Sequence, residues 1–231
     1  MKRGFGLLGL VLVLLIGCQQ KESWTPLFNG KDLDGWHVYG KGKNYNGWVV
    51  QNNVLAFDPN QRTDASSAYL VSDQQFTNFE LSLEWMISEN GNSGVFWGVI
   101  EEAKYEYPYL IGPEIQILDD NYTAYIEERG DINRAASLYN LMAPSSIESH
   151  PANQWNKYLL HIDQDNNEGF LIFNDVEVLR FPVNGEEWRK LIAQSGFAET
   201  QSFGSAQTGH IALQDHGGMV AFRNIKIREL P

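Results

Sequence analysis

From residue 24 onward, apolar side chains recur mostly at every second position in short runs. In Phe79-Glu80-Leu81-Ser82-Leu83-Glu84-Trp85 one face is apolar and the other polar, the mark of a half-buried strand. The same period predicts strands over 48–50, 94–100, 114–118, 158–163, 169–173, 176–181, 209–214 and 220–228. Turn residues punctuate them: Asn29-Gly30, Asp34-Gly35, Asn90-Gly91, Asn174-Asp175 and Gly217-Gly218. One stretch changes period. Asn184 offers a cap, and Trp188, Leu191 and Ile192 fall on one helical face of 186–195. The pattern predicts an all-β sandwich with one short surface helix, filling 24–231 as a single domain with no internal repeat or linker.

The beginning of the chain obeys another rule. Lys2 and Arg3 precede an apolar run from Phe5 to Ile16, which is too short to span a bilayer and reads as an export signal over 1–17. The run ends Leu15-Ile16-Gly17-Cys18, similar to a bacterial lipobox, and Cys18 is the only cysteine. We expect cleavage before Cys18, lipidation of its thiol and a polar tether over 18–23. Gln19 favours the outer membrane, facing periplasm or cell surface; the lipid would be the chain's sole contact with a membrane. With no other cysteine, the domain has no disulfide, thiol nucleophile or cysteine-zinc site.

Composition narrows the partners. The chain has 231 residues and a net charge of -12, from 17 basic against 29 acidic side chains, and its basic residues are scattered, which argues against nucleic acid. Aromatics at 13% and hydrophobics at 43% demand a packed core.

Two segments concentrate candidate chemistry. In 112–120, Glu114 and Gln116 share a strand face while Ile115 and Ile117 point to the core, presenting a carboxylate and an amide side by side. The position where a second carboxylate would serve a retaining glycosidase holds Leu118, which argues against double displacement. In 209–218, His210, Gln214 and His216 share a face, and the imidazole of His216 suits acid, base or metal-ligand work. Asn92 lies in the Asn90-Gly91-Asn92-Ser93-Gly94 turn; Arg134 and Tyr139 offer hydrogen-bond donors; Tyr105, Tyr107 and Tyr109 alternate and suit stacking on sugar rings. No P-loop, nucleophile elbow, zincin or dinucleotide fingerprint is present.

Taken in order, the stretches 28–36, 91–94, 112–120, 134–139, 155–156 and 209–230 resemble the 3-keto-disaccharide hydrolase family over essentially the whole mature chain. The resemblance implies a concanavalin-like jelly roll and cleavage of glycosides already oxidised at C3. Many members read His-Arg-Ala-Gly where this chain has Asn133-Arg134-Ala135-Ala136. A C3 ketone acidifies the C2 proton, so one base suffices and the enolate expels the aglycone from C1; water then adds back. On this reading Glu114 or His216 is the base. Glu84, Asn92, Gln116, Arg134, Tyr139 and Gln214 bind the substrate hydroxyls or the enolate oxygen. No cofactor is required, although a divalent metal ion held by Glu114 and His216 would also polarise the ketone. A non-catalytic carbohydrate-binding lipoprotein is the alternative the same residues allow.

Overall fold

The structure is a computed structural model that describes residues 23–231. The expected leader, Cys18 and nearly all of the tether lie outside the described residues. Strands β1 (Thr25–Pro26), β2 (Trp36–Val38), β3 (Trp48–Gln51), β4 (Val54–Phe57), β5 (Leu70–Phe76), β6 (Phe79–Ile87), β7 (Asn92–Val99) and β8 (Glu114–Leu118) come first. Helix α1 (Thr123–Arg129) follows, then β9 (Asn156–Asp163), β10 (Glu168–Phe173), β11 (Val176–Phe181), α2 (Gly185–Ala193), β12 (Gly209–Leu213) and β13 (Val220–Glu229).

The strands form two antiparallel sheets of a jelly roll, as the alternating pattern predicts. The larger runs β11-β10-β9-β6-β13-β4-β3, with β1 beside the second half of β13; the smaller runs β2-β5-β12-β7-β8. Phe79, Leu81, Leu83 and Trp85 of the larger sheet meet Val95, Trp97, Ile115, Ile117, Ile211 and Leu213 of the smaller in one core. Each strand therefore sends its alternate residues outward, which fixes what each outer face carries. Tight hairpins hold the register: Asn174 and Asp175 take φ of 44° and 71° between β10 and β11, the left-handed pair a two-residue turn needs.

Two local expectations give way. The chain has two α-helices among the described residues rather than one. Helix α1 is only seven residues long, and Tyr122, Tyr125 and Ile126 at helical spacing pack on the core too briefly to register as a period. Asn184 precedes α2 but does not cap it; its side-chain amide donates to the Gln164 carbonyl at 2.6 Å. The alternating tyrosines lie in the connection between β7 and β8. Pro108 opens a 3-10 turn, Pro108–Leu110, and Tyr107 stacks on Tyr109 at 5.2 Å and 6°.

Candidate functional site

The outer face of the smaller sheet follows from register. Val95 pairs with Ile115 and Leu213, so Gly94 lies between Gln116 and Gln214, and Phe96 between Glu114 and Ala212. On β5, Tyr69 precedes Leu70, the partner of Leu213, which sets it beside Gln214. Residues 136–139 extend the sheet past β8: Gln116 donates its backbone N–H to Ser137, and Tyr139 donates its own to Glu114. Two adjacent rows result. One reads Tyr69, Gln214, Gly94, Gln116, Ser137; the other reads Val71, Ala212, Phe96, Glu114, Tyr139.

Their chemistry differs sharply. The second row is apolar up to Glu114, with Phe96, Val71, Ala212, Tyr39, Tyr69 and Val99 in one cluster against which Tyr107 packs. Glu114 is 6% exposed and its Oε1 has no hydrogen-bond partner. Burial alone pushes its carboxyl up to about 8, so in the free protein it is neutral at pH 7. The space it occupies exists because residue 94 is glycine: a Cβ there would sit 1.8 Å from Glu114 Oε1. In the first row, Oε1 of Gln116, Oε1 of Gln214 and Oγ of Ser137 are buried without partners. Beside them Asp215 accepts the Ala68 N–H through Oδ2 at 2.7 Å and leaves Oδ1 unpaired; burial raises its pKa to about 6. Of eight such orphaned atoms among the described residues, five belong to this group, too many for a face that only packs.

Two phenols flank the carboxyl. Burial holds Tyr69 and Tyr139 far above their ordinary pKa, with the Glu114 charge adding to each, so both are neutral O–H donors. Gln214 Nε2 donates to Tyr69 at 3.5 Å and the Tyr125 hydroxyl donates to Tyr139 at 3.5 Å. The group is therefore a buried carboxyl, Glu114, on an apolar wall, with a second, Asp215, at its edge, two phenolic donors and several open acceptors, an arrangement for binding a polyol and moving a proton.

The structure brings together Glu114, Gln116, Tyr139 and Gln214 from the candidate residues, and Asn92 opens β7 on the same side by alternation. His216 follows β12 with its side chain exposed, while the protein mass around it lowers its pKa. Glu84 goes elsewhere. It lies on the outer face of the larger sheet, where Arg223 and Asn224 hold it at 2.7 Å, because β6 belongs to the other layer of the sandwich. Arg134 is committed to Asp120 at 3.3 Å and Asp131 at 3.2 Å, bracing the loop after β8. Tyr69, Ser137 and Asp215 escaped the sequence reading. Tyr69 precedes a strand that alternation did not reveal, and Asp215 sits on the opposite face by simple counting, past the point where β12 ends.

This chain belongs to the 3-keto-alpha-glucoside-1,2-lyase-like domain family, whose model matches residues 23–228. A Bacteroides thetaiotaomicron protein named 3-keto-disaccharide hydrolase is 29% identical over 233 aligned positions, covering 90% of this chain and 79% of that protein. A crystal structure of a Parabacteroides distasonis protein assigned to the glycosyl hydrolases superposes with a TM-score of 0.81 at 29% identity, covering 90% and 94% of the two chains. A Bacillus subtilis protein of galectin-like fold shares the architecture at 13% identity and a TM-score of 0.55, covering 90% and 97%.

Proposed function

We propose that the chain cleaves 3-keto-disaccharides and related 3-keto-glycosides by elimination followed by hydration. The reading is supported by a buried carboxyl, Glu114, raised to about 8 and with no carboxylate beside it in its own row, Asp215 lying past the end of β12 and bound to the Ala68 N–H, together with the family membership. An ordinary glycosidase needs a nucleophile as well as an acid; a 3-keto sugar needs one base.

Glu114, once ionised, takes the C2 proton. The electron pair forms an enolate with the C3 carbonyl, and its collapse breaks the bond from C1 to the aglycone oxygen. The proton returns to that oxygen, leaving a 2-hydroxy-3-keto-glycal. Water then adds across C1 and C2, its hydroxyl to C1 and its proton to C2. Tyr69 and Tyr139 donate to the developing enolate oxygen, since neutral phenols are strong donors in a dry site. The unpaired oxygens of Gln116, Gln214 and Ser137 accept from sugar hydroxyls. His216, exposed and with its pKa lowered below the ordinary imidazole value, is the second candidate base. A divalent cation, if bound, would polarise the ketone; Glu114 and His216 would hold it with amide or water oxygens. Among the described residues no three His, Cys, Asp or Glu side chains gather at ligand spacing.

The loop over 100–112 borders the site, where Tyr107 packs against the apolar wall and the Tyr39 hydroxyl shares its proton between the Ile100 and Tyr105 carbonyls, 3.0 Å from each. We also propose that Cys18 carries a lipid and tethers this domain within the cell envelope. The test of the chemistry is turnover of a 3-keto-disaccharide beside its unoxidised parent, with the glycal intermediate followed by its ultraviolet absorbance. Cleavage of the keto sugar alone supports the reading; equal cleavage of both, or of neither, overturns it.

A further inference from the structure

Several stretches singled out in the sequence leave the Glu114 face and meet on the opposite side of the molecule. Glu84 of β6 pairs across the larger sheet with Lys157 of β9 on one side and Arg223 of β13 on the other. One step along, Ser82 pairs with Lys226. Glu84, Lys157, Ser82 and Lys226, with Asn29 and Asn224, line a cavity of about 670 Å³, and a second cavity of about 280 Å³ shares Glu84 and Lys157 with it and reaches Trp155.

The floor is shaped by a break in β13. Between Arg223 and Lys226 the register with β6 shifts, and Asn224 takes φ of 53°. That bulge aims two consecutive side chains at one carboxylate: Arg223 Nε donates to Glu84 Oε2 and Asn224 Nδ2 to Oε1, each at 2.7 Å. Arg223 also lies over the Trp155 ring, 4.0 Å from its centroid. The Glu84 charge is thereby matched from within the protein. Two ammonium groups are left to face the cavity. Lys226 stands 5.0 Å from the Trp24 ring and has no carboxylate partner among the described residues. Lys157 holds only Asp175, at 3.0 Å, in a pair whose members are 50% and 82% exposed and which a ligand can displace. The larger cavity's charged lining is Glu84, Lys157 and Lys226, one positive charge in excess on a chain whose formal charge is -12, and Asp175 of the second cavity is held by Lys157.

We propose that this groove is a second saccharide site, for a glycan bearing a carboxylate such as a uronic acid residue. Lys157 and Lys226 take the carboxylate; Glu84, Ser82 and Asn224 meet ring hydroxyls. The cavity is of the size that holds one or two sugar rings. The mixture of carboxylate, hydroxyl, amide and ammonium is too polar for an apolar ligand and too short of free cations for a polyanion. The proposal does not rest on the catalytic reading, because it concerns unoxidised sugar on the other sheet.

The test is calorimetric titration of the full-length Glu114→Gln protein, in which turnover is silenced, with a uronate-containing disaccharide, its neutral parent and acetate. Uronate binding with Kd of about 1 mM, and at least about ten-fold weaker for parent and acetate, is expected. Adding Lys226→Gln, an exposed change that spares the fold, should weaken the uronate about ten-fold, and adding Lys157→Gln should weaken it further, while Gln116→Ala leaves it unchanged. Absence of uronate binding at tens of millimolar, acetate binding as tightly as the sugar, or sensitivity to Gln116→Ala in place of the lysines would each overturn the proposal.

Discussion

The outer faces of the two sheets treat buried charge in opposite ways. On the larger sheet Glu84 is matched by Arg223 and Asn224, and Glu80 by His161 and Arg228. On the smaller sheet Glu114, more deeply buried than either, meets no cation and leaves an oxygen without a partner. A protein evolved for stability alone would pair or remove such a group, since an unpaired buried polar atom costs about 1–3 kcal/mol. The contrast is one of charge: on the larger sheet each carboxylate has a cationic or amide partner, although His161 Nε2 and Arg228 Nε are themselves left open, whereas Glu114 has none and stands among open oxygens, the setting in which perturbed carboxyls do chemistry.

The sharpest way to break that contrast is Glu114→Gln. The amide keeps the shape and removes the base, so turnover of a 3-keto-disaccharide should fall by about 10²- to 10⁴-fold. Initial rates measure it, and a rate within a few-fold of wild type would take Glu114 out of the mechanism. Next in size is Gly94→Ala. A methyl group 1.8 Å from Oε1 and 2.6 Å from the carboxyl carbon forces the acid to swing away. We expect roughly a 10²-fold loss in kcat/KM for a stability change of only about 1–3 kcal/mol, because misplacement penalises the reaction more than the fold. Rates read beside thermal melts separate the two.

How far the sequence foretells this contrast depends on what each residue's placement requires. Alternation is local, so Glu114 and Gln116 facing away from Ile115 and Ile117 is readable from five letters. The pairing of strands is not local. Glu84 sits in as clean an alternation as Glu114, and only the sandwich topology assigns its strand to the other layer. Ser137 and Tyr139 reach the site because an irregular loop returns to pair with β8, which no periodicity announces. Arg134 was legible as a donor, yet its acceptors, Asp120 and Asp131, lie on flanking loops whose geometry emerges only on folding. The glycine at 94 is visible in the sequence as a turn residue; its use, to admit a carboxyl from the next strand, is not.

The raised carboxyl predicts two pH dependences with opposite signs. Catalysis needs the ionised form, so kcat/KM should rise with pH, about ten-fold per unit below a midpoint near 8, and level above it. Stability should run the other way. The folded state holds a proton that the unfolded carboxyl, at its ordinary 4.5, has released. Glu114 therefore favours folding fully below about 4.5, and its contribution declines by roughly 1.4 kcal/mol per unit up to about 8. Asp215, raised to about 6, adds a decline of the same sign over a narrower window. Denaturant unfolding across pH 5 to 8 measures the slope, and Glu114→Gln should flatten it; an unchanged slope would mean that the carboxyl is solvated in the free protein.

The smallest effect belongs to the matched face. Arg228 meets Glu80 and lies over the Trp24 ring, 5.1 Å from its centroid, with its side chain 32% exposed. Replacing it by Met keeps the stem that packs on the sheet and removes the charge. Because Glu80 keeps His161 on Oε1 at 3.3 Å and its freed Oε2 can turn to water, the change should lower stability by only about 1 kcal/mol. Turnover should stay within two-fold of wild type, since the hydrophobic core lies between Arg228 and Glu114. A rate that falls with Arg228→Met in parallel with Gly94→Ala would show the two faces to be energetically coupled through that core, and their division of labour would fail.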